Sequence, residues 1–342
     1  MTANIRDSTR PLLLAAASFL ALALPNHALA QVSFIAREDY PAGTNPRAVV
    51  AADLNGDGRL DLAVANSGSN TVSVLLGRSD GTFSAASSLA VGTSPQSVAA
   101  IDLNGDGRPD LAVANNGSNS VSVLLGNGDG TFQAAQSVAA GTGPQAVAAG
   151  DFNGDGRPDL VVADGGSNTV LVLLGNGDGT FQAGASFGAG TGPQAIAVGD
   201  FNRDGRSDLA VADKGGNAVS VLLGNGDGTF RAALSFAAGN SPLSVATDDF
   251  NRDGLLDLAV AGVGANTVAV LLGNGDGTFQ AARAFAADSG ADSVAVADFN
   301  HDGFLDLAVT GFFANTVSLL RAMGMGPSRP RRSSGRGPAP GP

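Results

Sequence analysis

A nine-residue pattern with oxygen-bearing side chains is the part of this sequence best suited to chemistry. The copy that begins at Asp151 places such side chains at positions one, three, five and nine, with Gly at position six. In a curling loop, alternate side chains point to the same side and can converge on one ion. Ca²⁺ takes roughly six to eight oxygen ligands and is commonly held by loops of this kind. We therefore expect a metal site in each copy of the pattern.

The sixth, seventh and ninth positions agree with this interpretation. Position six is Gly in every copy, which suits a sharp turn with positive φ. Position seven varies among Arg, Leu and Phe, which suits a ligand that is a backbone carbonyl. Position nine is always Asp and can close the site. The expected ligand residues are Asp53, Asn55, Asp57, Arg59 and Asp61; Asp102, Asn104, Asp106, Arg108 and Asp110; Asp151, Asn153, Asp155, Arg157 and Asp159; Asp200, Asn202, Asp204, Arg206 and Asp208; Asp249, Asn251, Asp253, Leu255 and Asp257; and Asp298, Asn300, Asp302, Phe304 and Asp306.

The alternative interpretation of the pattern is a tight polar turn between two strands, since Asp, Asn and Gly favour turns. All six copies keep the four oxygen-bearing positions, whereas positions four and eight vary. A turn alone does not require this, so calcium is favoured, with about six ions per chain. An EF-hand is excluded because it needs a Glu at position twelve and a helix on each side.

The pattern recurs every 49 residues without insertion or deletion, so residues 32–325 consist of six repeats. A period of about 40–50 residues is typical of propeller blades. In the copy at 145–193, apolar segments predict strands at 146–151, 160–163, 169–174 and 181–189. The Asn-Gly-Asp-Gly sequence between the last two predicts a hairpin turn. The sequence therefore predicts an all-β, six-bladed β-propeller of four-stranded antiparallel blades.

Phenylalanine follows the same period and indicates packing between neighbouring blades, because repeats bury a continuous core only when stacked. One series consists of Phe34, Phe83, Phe132, Phe181, Phe230 and Phe279. Residues 34–40 align with the fourth strand of later copies, whereas the sixth repeat ends after its third strand. We expect the N-terminal strand to pair into the last blade and close the ring, which removes exposed sheet edges.

The two ends of the chain differ from the repeats. Residues 1–30 have Arg6 and Arg10, an apolar run and the small-residue sequence Ala-Leu-Ala, which predicts a secretory signal peptide cleaved near Ala30. The apolar run of residues 11–24 is shorter than the roughly 20 residues of a membrane-spanning helix. The expected domains are therefore a signal peptide at 1–30, a propeller at 31–325 and a disordered Pro/Arg/Gly-rich tail at 326–342. We expect an exported monomer with no transmembrane segment.

The amino-acid composition limits the function classes that suit this chain. The chain has 31 acidic and 19 basic residues, a net charge of −12, which argues against a nucleic-acid partner. It has no cysteine, so metal is the candidate for added stability. After residue 30 it has one His (His301), one Glu (Glu38) and one Lys (Lys214). General acid–base catalysis usually draws on such side chains. We therefore expect that the chain is not an enzyme.

The Asp-x-Asn-x-Asp-Gly-x-x-Asp pattern between the first and second strands, with Gly-Thr-Gly-Pro ahead of it, resembles the FG-GAP repeat. That repeat builds the β-propeller of integrin α subunits and of bacterial exported proteins called FG-GAP-repeat or VCBS-repeat proteins. The resemblance extends over nearly all of the chain after residue 30. It implies a propeller fold and calcium at the matching side chains.

Three function classes are open: a protein- or surface-interaction module for adhesion or scaffolding, a carbohydrate-binding lectin, and a propeller hydrolase or lyase. The interaction module is favoured, with an unidentified surface protein or glycan as partner, because lectins usually stack sugars on aromatic faces and residues 31–342 have no Trp and one Tyr. The turns opposite the metal loops vary most between copies, and varied loops on a rigid scaffold can carry recognition. Lys214, Phe312 and Phe313 are the candidate partner-binding residues there.

Overall fold

The computed structural model describes residues 38–322, and these form 23 β-strands without a helix. This part of the chain accordingly offers no helix with the length and apolarity needed to cross a bilayer. The strands are β1 Pro46–Ala52, β2 Asp61–Asn66, β3 Thr71–Leu75, β4 Ser87–Ala90, β5 Pro95–Ile101, β6 Asp110–Asn115, β7 Ser120–Leu124, β8 Gln136–Ala139, β9 Pro144–Gly150, β10 Asp159–Asp164, β11 Thr169–Leu173, β12 Ala185–Gly188, β13 Pro193–Gly199, β14 Asp208–Asp213, β15 Ala218–Leu222, β16 Leu234–Ala237, β17 Pro242–Asp248, β18 Asp257–Gly262, β19 Thr267–Leu271, β20 Arg283–Ala286, β21 Ala291–Ala297, β22 Asp306–Gly311 and β23 Thr316–Leu320.

Each repeat folds into one antiparallel sheet whose strands lie in chain order. Five sheets have four strands, and the sixth has the three strands β21–β23 among the residues described. In the third blade, Gly150 lies opposite Asp159 and Ala146 opposite Ala163, so the nine-residue pattern forms the loop between the first two strands. The six-bladed, all-β architecture predicted from the sequence is confirmed.

The first strand of each blade lies nearest the central axis. Neighbouring first strands contact each other in sequence from β1 through β5, β9, β13 and β17 to β21. Residues from all six line a central cavity of about 290 Å³. These strands are rich in Ala and Val, and such short side chains allow several strands to crowd around one axis.

The hydrophobic core lies between the blades. Val72 and Val74 of the first blade pack with Leu111 and Val113 of the second, and the same pairing of faces recurs along the ring. In the second, third and fourth blades, the second and third strands are buried on both faces because a blade stacks on each side, and they are rich in apolar residues. The third strand of the sixth blade, β23, is largely exposed. The fourth strands are mostly exposed.

Phenylalanines join neighbouring blades, as predicted. Phe230 of the fourth blade packs edge-on against Phe152 and Phe187 of the third, with ring centroids 5.8 and 5.6 Å apart. Phe279 packs in the same way against Phe201 and Phe236, at 5.6 and 5.5 Å. Edge-to-face aromatic pairs add about 0.5–1.5 kcal/mol beyond the area that they bury.

One sequence expectation differs from the structure, and others concern residues outside the described range. The fourth strand of the third blade is β12, four residues long, rather than 181–189; Phe181 forms only an isolated bridge with Gly175. Ring closure by residues 34–40 is not shown: residues 34–37 lie outside the described range, and residues 38–40 are not in a strand. The predicted signal peptide at 1–30 and tail at 326–342 also lie outside it.

Candidate metal loops and the opposite face

The loops between first and second strands share one set of backbone contacts. In the third blade, Asp151 Oδ2 accepts a hydrogen bond from Gly156 N (2.9 Å), Asn153 Oδ1 from Asp155 N (2.9 Å), and Asp155 Oδ1 from Arg157 N (2.9 Å). All six loops repeat these three contacts. The structure therefore brings the first, third and fifth side-chain oxygens of each loop onto the same short stretch of backbone.

Position four of the loop also has a fixed conformation, which the sequence did not reveal. It takes a positive φ where it is Gly and also where it is Arg203 (61°), Arg252 (63°) or His301 (58°). Residues other than Gly rarely adopt this backbone conformation, which costs about 1–2 kcal/mol per residue. The loop geometry is thus maintained in the last three blades despite local backbone strain.

The ninth Asp joins the loop to the hairpin between the third and fourth strands. Asp159 is fully buried, and its two oxygens accept hydrogen bonds from Phe152 N (2.9 Å) and Gly175 N (2.8 Å). Burial raises the pKa of Asp159, and the nearby charges of Asp155 and Asp151 raise it further. The other five ninth-position Asp residues are equally buried. This carboxylate therefore has a structural role whether or not it also binds a metal ion.

The loops fit calcium by donor chemistry and charge. All side-chain donors are oxygens, as a hard cation prefers, and an oxygen that accepts one N–H keeps a second lone pair. Burial raises the pKa of the ninth Asp, as in Asp110 and Asp208, and repulsion by the loop carboxylates raises it further. As the side chains stand in residues 38–322, no three Asp, Glu or His are arranged to hold a metal ion. The ligand assignment therefore stays a prediction.

The seventh residue has a side-chain role that was missed when only its carbonyl was considered. Arg59 Nη2 lies 2.5 Å from Asp57 Oδ2. The Arg at this position also pairs with the fifth-position Asp in the next three blades, at 3.8–4.0 Å. In the last two blades it is replaced by Leu255 and Phe304, and Arg252 lies over the Phe304 ring at 4.1 Å. Exposed ion pairs contribute about 0–1 kcal/mol, so they adjust the loops without determining them.

The structure does not bring the three predicted partner-binding residues together. Lys214 lies in the turn after β14, and Phe312 and Phe313 lie in the turn after β22, with the whole fifth blade between them. The two Phe rings contact each other at 5.2 Å, and Phe313 is 65% exposed. Their backbone N–H groups donate to Gly290 O and Ser289 O, which fixes this turn on the preceding connection.

A ring of side chains, four of them polar, surrounds the axis at this same end of the blades, since Pro46 at the start of β1 lies opposite Asn66 at the end of β2. The residues that line the central cavity include Arg47, Gln96, Gln145, Gln194 and Leu243, one from each of the first five blades. Their 49-residue spacing was visible in the sequence, but only the assembled ring makes them neighbours of one cavity.

Two carboxylates are buried at the ends of second strands. Asp213 accepts a hydrogen bond from Ser220 Oγ (2.6 Å), and burial raises its pKa to about 6. Asp164 occupies the equivalent position one blade earlier, where Leu171 replaces that serine. Both Asp164 oxygens are buried without a side-chain partner, and burial raises the pKa of Asp164 to about 7.

Solved structures of similar fold include proteins of several kinds. A functionally unknown protein from Desulfotomaculum acetoxidans has a TM-score of 0.63 at 15% identity, covering 83% of this chain and 84% of that one. A putative 6-phosphogluconolactonase from Bacteroides uniformis has a TM-score of 0.57 at 16% identity, covering 72% and 73%. The periplasmic gluconolactonase of Pseudomonas aeruginosa has a TM-score of 0.55 at 20% identity, covering 70% of each chain. No curated protein sequence matches the chain.

These neighbours correct one expectation. The inference that the chain is not an enzyme is wrong, because proteins named as lactonases share its fold. That inference rested on how few His, Glu and Lys residues the chain has. A count of residue types does not exclude an enzyme, since proteins named as enzymes have the same fold. At such low identity the likeness concerns the fold alone.

The repeats themselves are recognised at the level of sequence. The signature described as the FG-GAP-like repeat matches residues 53–113, 102–162, 151–211, 200–260 and 249–309, each match running from one candidate metal loop into the following blade. Together these matches extend without a gap from the first loop into the sixth blade's second strand. The chain therefore belongs to the FG-GAP-like repeat family.

Proposed function

We propose that this protein is an exported, calcium-stabilised β-propeller that binds a surface protein or glycan through the end of the ring opposite its metal loops. The contrast between the two ends of the blades carries this proposal. At one end, six loops repeat the same oxygen-rich sequence and the same hydrogen bonds. At the other end, the turns differ between copies. Uniform loops serve the fold, and varied loops on a rigid ring are available for recognition.

In this proposal, bound calcium stabilises the folded propeller. In each loop the side chains at positions one, three, five and nine, with the carbonyl at position seven, would hold the ion. A bound ion supplies positive charge against the mutual repulsion of three carboxylates. The chain itself holds the loop in place through the buried ninth Asp, such as Asp159. We expect an affinity of about 10⁻⁴–10⁻³ M, the range of extracellular calcium modules.

Recognition is assigned to the varied turns and to the axial ring beside them. Phe313 is an exposed aromatic residue in contact with Phe312, and exposed apolar groups of this kind are frequent contact points. Lys214 supplies a positive charge in the fourth blade, two blades from Phe313. A partner that touches both turns would therefore extend across the fifth blade.

The experiment is a glycan and protein binding screen of the purified chain, run with calcium and with chelator. Lys214→Ala and Phe312→Ser should each weaken binding of the partner found and leave the calcium content unchanged. Asp155→Ala is the matched control at the other end of a blade and should lower the calcium content with little effect on binding. If only changes beside the metal loops weaken binding, the assignment of faces is wrong.

A second candidate is supported by the axial amides. Gln96, Gln145 and Gln194 line a cavity of about 290 Å³, a size and chemistry suited to a small polar ligand such as a sugar. Two neighbours in fold are named as a putative 6-phosphogluconolactonase and a periplasmic gluconolactonase, so lactone hydrolysis is the activity to assay. Turnover of gluconolactone that Gln145→Ala reduces and Asp155→Ala does not would favour this function. If the chain neither hydrolyses gluconolactone nor binds a sugar, this second candidate is excluded and the interaction module is favoured.

A further inference from the structure

The basic residues beside the candidate metal loops follow a complementary pattern around the ring. Position seven is Arg in the first four loops but Leu255 in the fifth and Phe304 in the sixth. Position four is Gly in the first three loops but Arg203 in the fourth and Arg252 in the fifth. Each loop that lacks an Arg at position seven therefore follows a loop that has one at position four. The sixth loop has His301 at position four, and the first loop has its own Arg at position seven.

Position four of a loop faces the following blade. A Cβ on Gly56 would lie 3.9 Å from Gly128 O, which is in the hairpin of the second blade. A Cβ on Gly154 would lie 3.7 Å from Gly226 O, in the hairpin of the fourth blade. A long side chain at position four therefore crosses the interface between two blades and reaches the neighbouring blade at the end that carries its loop.

Arg203 makes this crossing from the fourth loop to the fifth blade. Its Cδ would lie 3.6 Å from a Cβ on Gly275 in that blade's hairpin, and Leu255 of the fifth loop lies against the same Gly. In the third blade this place belongs to the loop's own Arg, since Arg157 Cδ would lie 3.0 Å from a Cβ on Gly177. The Arg203 side chain therefore stands beside the fifth loop, close to the place that a position-seven Arg would take.

Arg252 makes the same crossing from the fifth loop to the sixth. Its Nη2 would lie 2.8 Å from a Cβ on Gly303, at position six, and its guanidinium carbon lies 4.1 Å from the centroid of the Phe304 ring. A cation–π contact of this kind attracts the guanidinium to the ring face. The Phe304 N–H donates to Asp302 Oδ1 at 2.8 Å, so this charge stands beside a residue bonded to an expected calcium ligand. We call Arg203 and Arg252 the bridging arginines.

We propose that one guanidinium beside each loop sets its calcium affinity, and that the bridging arginines supply this charge to the fifth and sixth loops from the preceding blade. This inference rests on the calcium binding proposed above. A charge of +1 about 7–10 Å from a divalent ion in water weakens its binding about four- to sevenfold, and salt reduces the effect to about twofold. Without the bridging arginines, the fifth and sixth loops would bind calcium more tightly than the other four. This role also gives a reason for Arg at two positions where a positive φ favours Gly.

The first test is a calcium titration of the ¹⁵N-labelled full chain, followed by nuclear magnetic resonance at the backbone amide of residue 304. This N–H donates to Asp302, so its signal reports on the sixth loop. The Arg157 amide reports on the third loop in the same sample and is the internal control. Arg252→Gln removes the charge but keeps a side chain at the strained position. It should lower the midpoint calcium concentration for residue 304 about four- to sevenfold in low salt, and about twofold in roughly 0.15 M salt, without changing the midpoint for Arg157.

The second test moves the charge instead of removing it. The double variant Arg252→Gln with Phe304→Arg places a guanidinium on the sixth loop itself, as in the first four blades. Its midpoint should return to that of the parent chain. Phe304→Arg alone adds a second positive charge and should weaken calcium binding at this loop by about the factor that Arg252→Gln strengthens it.

The outcomes separate this inference from the proposed function. An unchanged midpoint at residue 304 in Arg252→Gln, or an equal shift at residue 157, would overturn the inference while calcium binding itself stands. A double variant that binds calcium as tightly as Arg252→Gln would also overturn it, because the two positions would then not be equivalent sources of charge. If no loop amide responds to calcium, the calcium binding in the proposed function fails, and this inference fails with it.

Discussion

Asp164 is the side chain whose replacement gives the sharpest test of the structure. It is fully buried at the end of β10, its two oxygens lack a side-chain partner, and Leu171 stands where four of the other five blades have a serine hydroxyl. The first two blades have Asn66 and Asn115 at this position, and Asn66 Nδ2 donates to Val64 O (3.1 Å). Asp164→Asn should therefore be accommodated by the fold, with Val162 O available in the place of Val64 O.

The expected magnitude follows from the pKa. Burial raises the pKa of Asp164 to about 7, against a usual value of 3.8. Because the folded-state pKa is raised, the stability of the neutral form is fully present below about pH 4 and is lost as the pH rises to about 7. The difference corresponds to about 4 kcal/mol once the group is ionised. Asp164→Asn should raise the free energy of unfolding by about 2–4 kcal/mol at pH 8 and by little at pH 4.

The assay is urea unfolding at pH 4, 6 and 8, followed by circular dichroism, with the variant compared with the parent chain at each pH. Contributions from other carboxylates cancel in that difference. Asp213→Asn is the matched control: its pKa of about 6 predicts a smaller gain, complete about one pH unit earlier. A difference between Asp164→Asn and the parent that does not change with pH would refute the account of this buried carboxylate.

Three further predictions concern packing, backbone strain and processing. Phe230→Ala should lower the free energy of unfolding by about 3–5 kcal/mol in chemical denaturation, because its ring contacts two others across a blade interface. Arg203→Gly should raise it by up to about 1 kcal/mol in the same assay, since φ is +61° there; a loss would show that the arginine side chain matters more than the strain. N-terminal sequencing of the exported protein should begin at Gln31, and an intact Met1 would contradict the signal peptide.

The repeat pattern was sufficient to predict the architecture. An exact 49-residue period, alternating turn residues and apolar segments predicted the number of blades and the positions of their inner three strands. The fourth strand was predicted too long because residues 181–189 look continuous in sequence, whereas in the structure Phe181 bridges Gly175 and the regular pairing begins only at Ala185. Its largely exposed residues carry little burial signal.

The site was predicted less completely than the fold, because much of it depends on contacts between elements. The ninth Asp appeared only as a possible ligand, but its contact with Gly175, 16 residues away, depends on the hairpin folding back. The burial of Asp164 depends on a leucine in the adjacent strand. The axial amides become neighbours only when six blades surround one cavity. Sequence spacing locates such residues, but only the assembled ring gives them their surroundings.

Calcium content is the measurement that tests the central claim most directly. Elemental analysis of protein equilibrated with calcium should find about six ions per chain, and Asp155→Ala should leave about five. Because calcium binds the folded state, its addition should raise the melting temperature and chelator should lower it. No bound calcium, together with a melt that chelator leaves unchanged, would contradict the assignment of the six loops as metal sites.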